Sequence, residues 1–302
     1  MINTQIEQSK TISFSLLSFL INLMQLTKIR LSFSIVFSSI AGYFLGADKI
    51  DFFILLLLSI GGYFMAGASS IFNQLIEREK DGLMDRTKNR PLPSNRISNS
   101  MAITLGIVLS LVGAFFLYSI NLKTAFFSII SILIYTCLYT PLKTVTPLSV
   151  FVGAFPGAIP FMLGWVAATG EFGIEPGILF MIQFFWQFPH FWAIGWMMDD
   201  DYKKAGFKML PSGKRDNASA FQIVFYTLWT IIISLIPATS YSGNLSLSVP
   251  AASLIIVLGF FFLFFSLKLM RIKDRLSAKK LIGFSIVYIT SLQIIYVIDK
   301  FL

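Results

Sequence analysis

One cysteine, one histidine and a shortage of charge set the limits for this chain of 302 residues. Cys137 has no partner for an intrachain disulfide or a thiolate metal site, and its place inside an apolar run reads as small-residue packing. Charged residues make up only 13%, against 56% hydrophobic, and mean hydropathy is +0.76. A soluble domain of this length could not present so little polar surface to water. The net charge of +9 does not indicate nucleic acid, because the cations sit between apolar segments and not on one soluble face. Residues 1–10 are polar and include Glu7 and Lys10. They lack the charged-then-apolar order of a cleaved signal and the arginines of a transit peptide.

What the chain has instead is long apolar runs, each near the roughly 20 residues that cross a bilayer. The expected spans are 30–47, 51–72, 99–120, 123–141, 147–168, 174–197, 218–239, 248–269 and 279–299. Residues 12–25 read as an interfacial helix leading into the first span. This is an all-α integral membrane fold: one domain over 1–302, with an N-terminal and interfacial segment 1–29 and a nine-helix bundle 30–299. Of the 24 Lys and Arg, all but Lys49, Lys123 and Lys300 then fall on one side. The positive-inside bias makes that side cytoplasmic, so the N-terminus is cytoplasmic and the C-terminus is not. The two long polar connections, about 73–98 and 198–217, both fall there, four spans apart. That spacing suggests two four-helix halves plus one helix, although no residue-level repeat supports it.

The chain is organised around Asn73-Gln74-Leu75-Ile76-Glu77-Arg78-Glu79-Lys80-Asp81, which follows the second span directly. Asn73, Glu77 and Asp81 recur every four residues, so a continuing helix sets their oxygens on one drifting face. Arg86, Lys88 and Arg90 follow. Oxygen ligands beside cations suit Mg²⁺ bridging two phosphates, because that ion takes few protein carboxylates and lets the substrate supply the rest. A charged loop capping a membrane helix is the plainer reading, and the ordered train of cations weighs against it.

The sixth span carries a second polar group. Gln183, Gln187, His190 and Asp201 fall within about 60° on a helical wheel, with Pro189 interrupting. Polar side chains inside a bilayer face protein or a cavity, so this span is expected to line a pocket with aspartates at its mouth. His190 is either hydrogen-bonded to a neighbouring helix or grips a bound substrate. Trp186, Phe191, Trp192 and Trp196 are more commonly packing or interfacial anchors, though an aromatic wall would stabilise a carbocation. For Asp199-Asp200-Asp201, solvated helix-end charge is a weaker reading for Asp201, which lies on the stripe, than for Asp199. Set against the first cluster, Asp200 and Asp201 would give a site with two acidic sides for two Mg²⁺ across a diphosphate. In the fifth span, Gly153, Gly157 and Gly164 point to close helix approach, and Pro156 and Pro160 to a kink.

The pattern Asn73-x-x-x-Glu77-x-x-x-Asp81-x-x-Met84-x-Arg86-Thr87-x-x-Arg90-Pro91 resembles the first signature of the UbiA-type intramembrane prenyltransferases. The run Met84 to Arg90 is similar to the haem-farnesylating branch of that superfamily. So are Tyr139-Thr140-Pro141-Leu142-Lys143 with Thr146-Pro147, Pro160 to Trp165, and Trp186 to His190 through Asp201-Tyr202 to Pro211. Glu77 stands where Asp is usual and Phe188 where Pro or Met is common. The resemblance implies nine helices around a central cavity open to lipid, in a bacterial inner membrane. It further implies Mg²⁺-dependent transfer of a farnesyl group from farnesyl diphosphate to a vinyl of haem B, giving haem O for a terminal oxidase. Asn73, Glu77, Asp81, Asp200 and Asp201 would bind metal; Arg86, Lys88, Arg90 and Lys143 would bind diphosphate; His190 is a haem-pocket candidate. Farnesyl diphosphate, haem B and the lipid bilayer are the implied partners, with a haem A synthase as a candidate protein partner. A superfamily enzyme acting on a quinone precursor or chlorophyllide is the nearest rival. A transporter is the rival of another class, disfavoured because the acids gather at helix ends and not at the midplane.

Overall fold

The computed structural model describes residues 16–302, so the polar stretch 1–10, with Lys10, and the start of the expected 12–25 helix lie outside the described residues. The elements in order are α1 (Leu16–Leu26), α2 (Ile29–Gly46), α3 (Phe52–Ile76), α4 (Arg78–Leu83), α5 (Asn99–Tyr118) and α6 (Leu122–Leu133). A π-helical turn, Ile134–Tyr139, runs into the short α7 (Thr140–Leu142). Then come α8 (Ser149–Thr169), α9 (Ile174–Lys204), α10 (Asn217–Ile233), α11 (Val249–Ile272) and α12 (Arg275–Phe301).

Span starts are written in the capping residues. Asp51, Ser98, Asn121, Asp216, Ser248 and Asp274 each accept a backbone N–H from the first turn of the helix that follows. Such caps satisfy amides that have no partner inside the helix, for about 1 kcal/mol each. Among the described residues, eight helices are long and apolar enough to cross a bilayer, the run Leu122–Leu142 counting as one. The expected sixth span, 174–197, is present as α9 but is not among the eight. It is a single 31-residue helix that passes through Pro189 and runs on past Asp201. Its glutamines, histidine and indoles dilute the hydropathy that a span normally shows.

Sequential spans pack side by side, and α8 touches α2, α6 and α9, which places it at the centre of the bundle. The expected close approach in the fifth span is present: a Cβ on Gly164 would lie 1.9 Å from the Ser39 carbonyl oxygen, and one on Gly42 2.0 Å from that of Phe161. No side chain larger than hydrogen fits where α2 and α8 cross. The ring closes where α12 meets α2.

The connections sort into two ends. Glu77 meets Lys143, Lys143 meets Lys208, Asp85 meets Asp201, and Asp200 meets Arg275 at one end. At the other, Lys300 caps α2 by donating to the carbonyls of Phe44, Leu45 and Ala47, while Glu175 accepts from Asn244. The segregation expected from loop charge is therefore built into the fold.

Candidate active site

The helix carrying the first acidic stretch does not run straight through. α3 ends at Ile76, Glu77 takes a hinge conformation (φ −93°, ψ 5°), and α4 resumes at Arg78. The four-residue spacing survives the hinge, because Glu77 N donates to Asn73 O at 3.0 Å and Asp81 N to Glu77 O at 2.7 Å. Asn73, Glu77 and Asp81 are all nearly fully buried. Buried carboxylates must be paired. Lys143 Nζ lies 2.8 Å from Glu77 Oε1, and Arg90 Nη1 donates to Asp81 Oδ2 at 2.8 Å.

Two members of this row were not singled out as site residues from the sequence. Lys28, counted there only as a topology charge, turns its ammonium inward and donates to Asn73 Oδ1 at 3.1 Å. It sits in the left-handed region (φ 47°), a conformation that a lysine adopts at a cost. Burial, then repulsion from Arg90 and Lys143, lowers its pKa to about 7. Thr140 Oγ1 accepts from Asn73 Nδ2 at 3.0 Å. The π-helical turn just before it places Tyr139 beneath Lys143, 4.5 Å from ring centroid to Nζ, and Phe207 lies 5.7 Å from the same ammonium. Burial, the largest single influence, pulls the Lys143 pKa down, but Glu77 together with Tyr135 and Tyr202 outweighs it and the net shift is upward. Lys143, one of the four diphosphate candidates named from the sequence, is thus central: it joins the first acidic stretch to the loop after α9.

The second acidic stretch meets the first through Asp201. Its carboxylate accepts from the backbone N–H of Asp85 at 3.0 Å and of Arg86 at 3.3 Å, and from Lys204 at 3.2 Å. Burial pushes its pKa up, but these donors bring it below the usual carboxylate range. Asp81 and Asp201 therefore belong to one end of the bundle. Asp200 is not brought in. It is exposed and pairs with Arg215 and Arg275, because successive helical residues point about 100° apart. Asp199, for which solvated helix-end charge is a stronger reading than for Asp201, is buried and pairs with Lys203 at 2.7 Å. Of the proposed diphosphate ligands, Arg90 and Lys143 join the row. Lys88 is engaged by Asp85 at the exposed rim, and Arg86 gives its amide to Asp201 while its side chain stays exposed. A cleft of about 280 Å³ at this rim runs between Asp85, Arg86, Asp201, Lys204 and Arg275.

The polar stripe of α9 divides. Gln183 and Gln187 are buried between helices, where neighbouring helices satisfy their amides. Gln187 Nε2 donates to Ala154 O at 3.0 Å, and Gln293 Nε2 donates to Gln183 Oε1 at 3.0 Å and to Ser38 Oγ at 3.1 Å. They tie α2, α8, α9 and α12 together. His190 is hydrogen-bonded to a neighbouring helix, as the first of its two readings expects. Its Nδ1 is 2.7 Å from Ser285 Oγ on α12, and its ring stacks on Trp186 at 4.8 Å. The residue is mostly but not wholly buried, and among the described residues no hydrogen bond engages Nε2. Trp192 and Phe188 pack against Tyr226, as anchors do.

Among the described residues no three His, Cys, Asp or Glu side chains converge as a metal cage. The oxygen set of Asn73, Glu77 and Asp81 still fits Mg²⁺, which keeps few protein ligands. Glu77 Oε1 is itself buried with no hydrogen bond, since its 2.8 Å contact with Lys143 is an ion pair without hydrogen-bond alignment. That oxygen already faces one cation, whose place a metal ion would take.

Comparison with known proteins agrees with this geometry. The model of the UbiA prenyltransferase family matches residues 35–290. The chain is 60% identical to the protoheme IX farnesyltransferase of Christiangramia forsetii, over 94% of this chain and 95% of that one. It is 56% identical to that of Flavobacterium psychrophilum, over 92% and 94%. Its fold is similar to that of a digeranylgeranylglyceryl phosphate synthase (TM-score 0.77, 19% identity, 93% of this chain and 98% of that one). It is also similar to a UbiA homologue from Archaeoglobus fulgidus bound to GPP and Mg²⁺ (TM-score 0.68, 16% identity, 91% and 99%).

Proposed function

The chain belongs to the UbiA prenyltransferase family, and from that premise we propose that it transfers a farnesyl group from farnesyl diphosphate to a vinyl group of haem B, giving haem O. The observation that carries the chemistry is the row of buried Asn73, Glu77, Asp81 and Lys143 with the partly buried Lys28 and Arg90, at one end of an apolar bundle.

The C1–O bond of farnesyl diphosphate breaks, and the electron pair leaves with the diphosphate. The vinyl π electrons attack C1, water captures the resulting porphyrin-side cation, and a proton is released. Farnesyl diphosphate, haem B and water thus balance haem O and diphosphate. Lys28, Arg90 and Lys143 are placed to stabilise charge building on the leaving oxygens, a task that preorganised donors in a dry site do well. In the free enzyme Lys143 and Arg90 neutralise Glu77 and Asp81. Arrival of the diphosphate gives them a new anion and frees the carboxylates. Mg²⁺, held by Asn73, Glu77 and Asp81 with Asp201 at the facing rim, would supply further positive charge to the leaving group. The apolar helices exclude water until the carbon–carbon bond is made. His190, with Nε2 open and its ring fixed by Ser285 and Trp186, is the group we assign to the porphyrin.

The protein is integral to the membrane. We place it in a bacterial plasma membrane with the row on the cytoplasmic side, the N-terminus there and the C-terminus opposite. A haem A synthase, acting on the haem O released, is the protein partner this reading implies. The test is to give purified protein haem B, farnesyl diphosphate and Mg²⁺ and to separate the haems by chromatography. Haem O with released diphosphate, lost when Mg²⁺ is chelated, is the expected result. Prenylation of a quinone precursor or chlorophyllide but not of haem would overturn the substrate assignment, and no diphosphate release with any acceptor would overturn the reaction.

A further inference from the structure

Helix α1 has an unusual relation to its surroundings. Phe19, Asn22 and Leu26 face the protein, Leu26 packing with Leu92 and Ile97 of the loop after α4. The opposite face carries Leu16, Leu17, Leu20, Ile21 and Met24, all exposed. On a helix these five form one stripe of about 140°. The described part of α1, 11 residues or about 16 Å, is shorter than a bilayer span. The turn at Thr27 and Lys28, with Lys28 left-handed, prevents it from continuing into α2. Beyond that turn the exposed apolar surface continues through Leu31 and Phe33 of α2, the first span, and the exposed Arg30 stands at the corner.

The inward side of α1 is fastened to the diphosphate row at two points. Arg96 donates to Asn22 Oδ1 at 2.6 Å and to Gln25 Oε1 at 2.8 Å. The same guanidinium donates to Asn89 O at 2.7 Å, next to Arg90, the partner of Asp81. At the helix end, Leu26 O accepts from Gln74 Nε2 at 2.7 Å, next to Asn73, and Lys28 follows two residues later.

We infer that α1 is an in-plane strap, seated by its Leu16–Met24 stripe in the interfacial zone of the bilayer, and that this seating holds Lys28 and the Arg90 loop in register with Asn73 and Asp81. The lipid surface is the occupant because the stripe is continuous with the membrane-facing side of α2, and Arg30 at the corner meets the headgroup phosphates. Arg96 is a positioning residue in this scheme. The coupling to turnover rests on the proposed function; the seating does not.

Nitroxide labels test the seating directly. In a Cys137→Ser background, labels at Leu17→Cys, Leu20→Cys and Ile21→Cys are compared with one at Asp85→Cys on the polar rim, in phosphatidylethanolamine–phosphatidylglycerol vesicles. The α1 labels are expected to relax strongly with oxygen and weakly with a water-soluble nickel chelate, the reverse of the rim label. Access to nickel equal to the rim label overturns the proposal. Immobilised labels shielded from both reagents also overturn it, because a second copy then covers the stripe.

The coupling is read with Leu17→Glu/Ile21→Glu and, separately, with Arg96→Gln. Each is expected to raise KM for farnesyl diphosphate roughly 10- to 100-fold, the scale of an ångström-level misplacement, while KM for haem B moves little. Arg96→Lys is expected to restore part of the loss. Lipid-seated labels with wild-type KM in both variants would remove the coupling. An enzyme inactive on haem B in every form would point to the functional reading, and the label pattern would still decide the seating.

Discussion

Replacing Lys143 by methionine keeps most of the side-chain volume and removes the charge that Glu77 faces at 2.8 Å. Both groups are buried, so the variant leaves a carboxylate without its counter-ion. Breaking a buried pair from one side costs about 3–5 kcal/mol. Lys28 is close enough to feel the charge of Glu77, which favours the lower end, about 3 kcal/mol by the same reasoning. Unfolding followed by size-exclusion chromatography after heating should therefore show an apparent Tm several degrees lower. Adding Glu77→Gln removes the stranded charge, and replacing a buried pair by uncharged groups is close to neutral for stability. The double variant should recover most of the lost Tm. It should not recover catalysis, because the leaving diphosphate has lost both a cation and a metal ligand. A fall of about 10²–10³ in haem O formation is expected of Lys143→Met, the cost of one missing donor at developing charge. A single variant with unchanged Tm and turnover within about threefold, well short of what one transition-state donor supplies, would refute the placement of Lys143 at the centre.

Asp81→Asn should reduce diphosphate release by about 10² or more while the protein stays folded, since the Arg90 it strands can reach water; radiolabelled farnesyl diphosphate measures this. Asp201→Ala and Asp200→Ala should differ sharply: loss of the Asp201 contacts with the Asp85 and Arg86 amides lowers kcat/KM roughly tenfold or more, whereas the exposed Asp200 is nearly silent in the same assay. Gly153→Ala puts a methyl 2.6 Å from the Tyr139 ring, so the ring under Lys143 must shift and turnover should fall with little change in expression.

Much of the topology was legible because membrane physics writes in long runs. The charge between the apolar segments alternates, and the structure brings the same connections together at one end. α9 was legible by pattern although its hydropathy is poor, because glutamine, histidine and aspartate recurring on one side have no place facing lipid. What that stripe touches was not legible. A buried glutamine bonded to a neighbouring helix and one lining a pocket leave the same periodic signature. Only packing shows the partners, and Gln183 and Gln187 are bonded to neighbouring helices.

Residues at breaks between helices were the hardest to foresee. Helical phase sorted Asp201 from Asp199, although it did not foretell that Asp199 would be buried and paired. It had nothing to say of Lys28, which lies between α1 and α2 where no periodicity applies. A positive φ at lysine is invisible in sequence, yet that one dihedral aims the ammonium at Asn73. The same holds for Lys143, which follows a π-helical turn; the extra residue per turn there rotates everything after it relative to an α-helical register. In both cases the departure from regular helix brings a cation to the acids. Straightening either break by mutation is therefore expected to damage diphosphate binding before it damages the fold, a difference that a KM for farnesyl diphosphate measured beside an apparent Tm would expose.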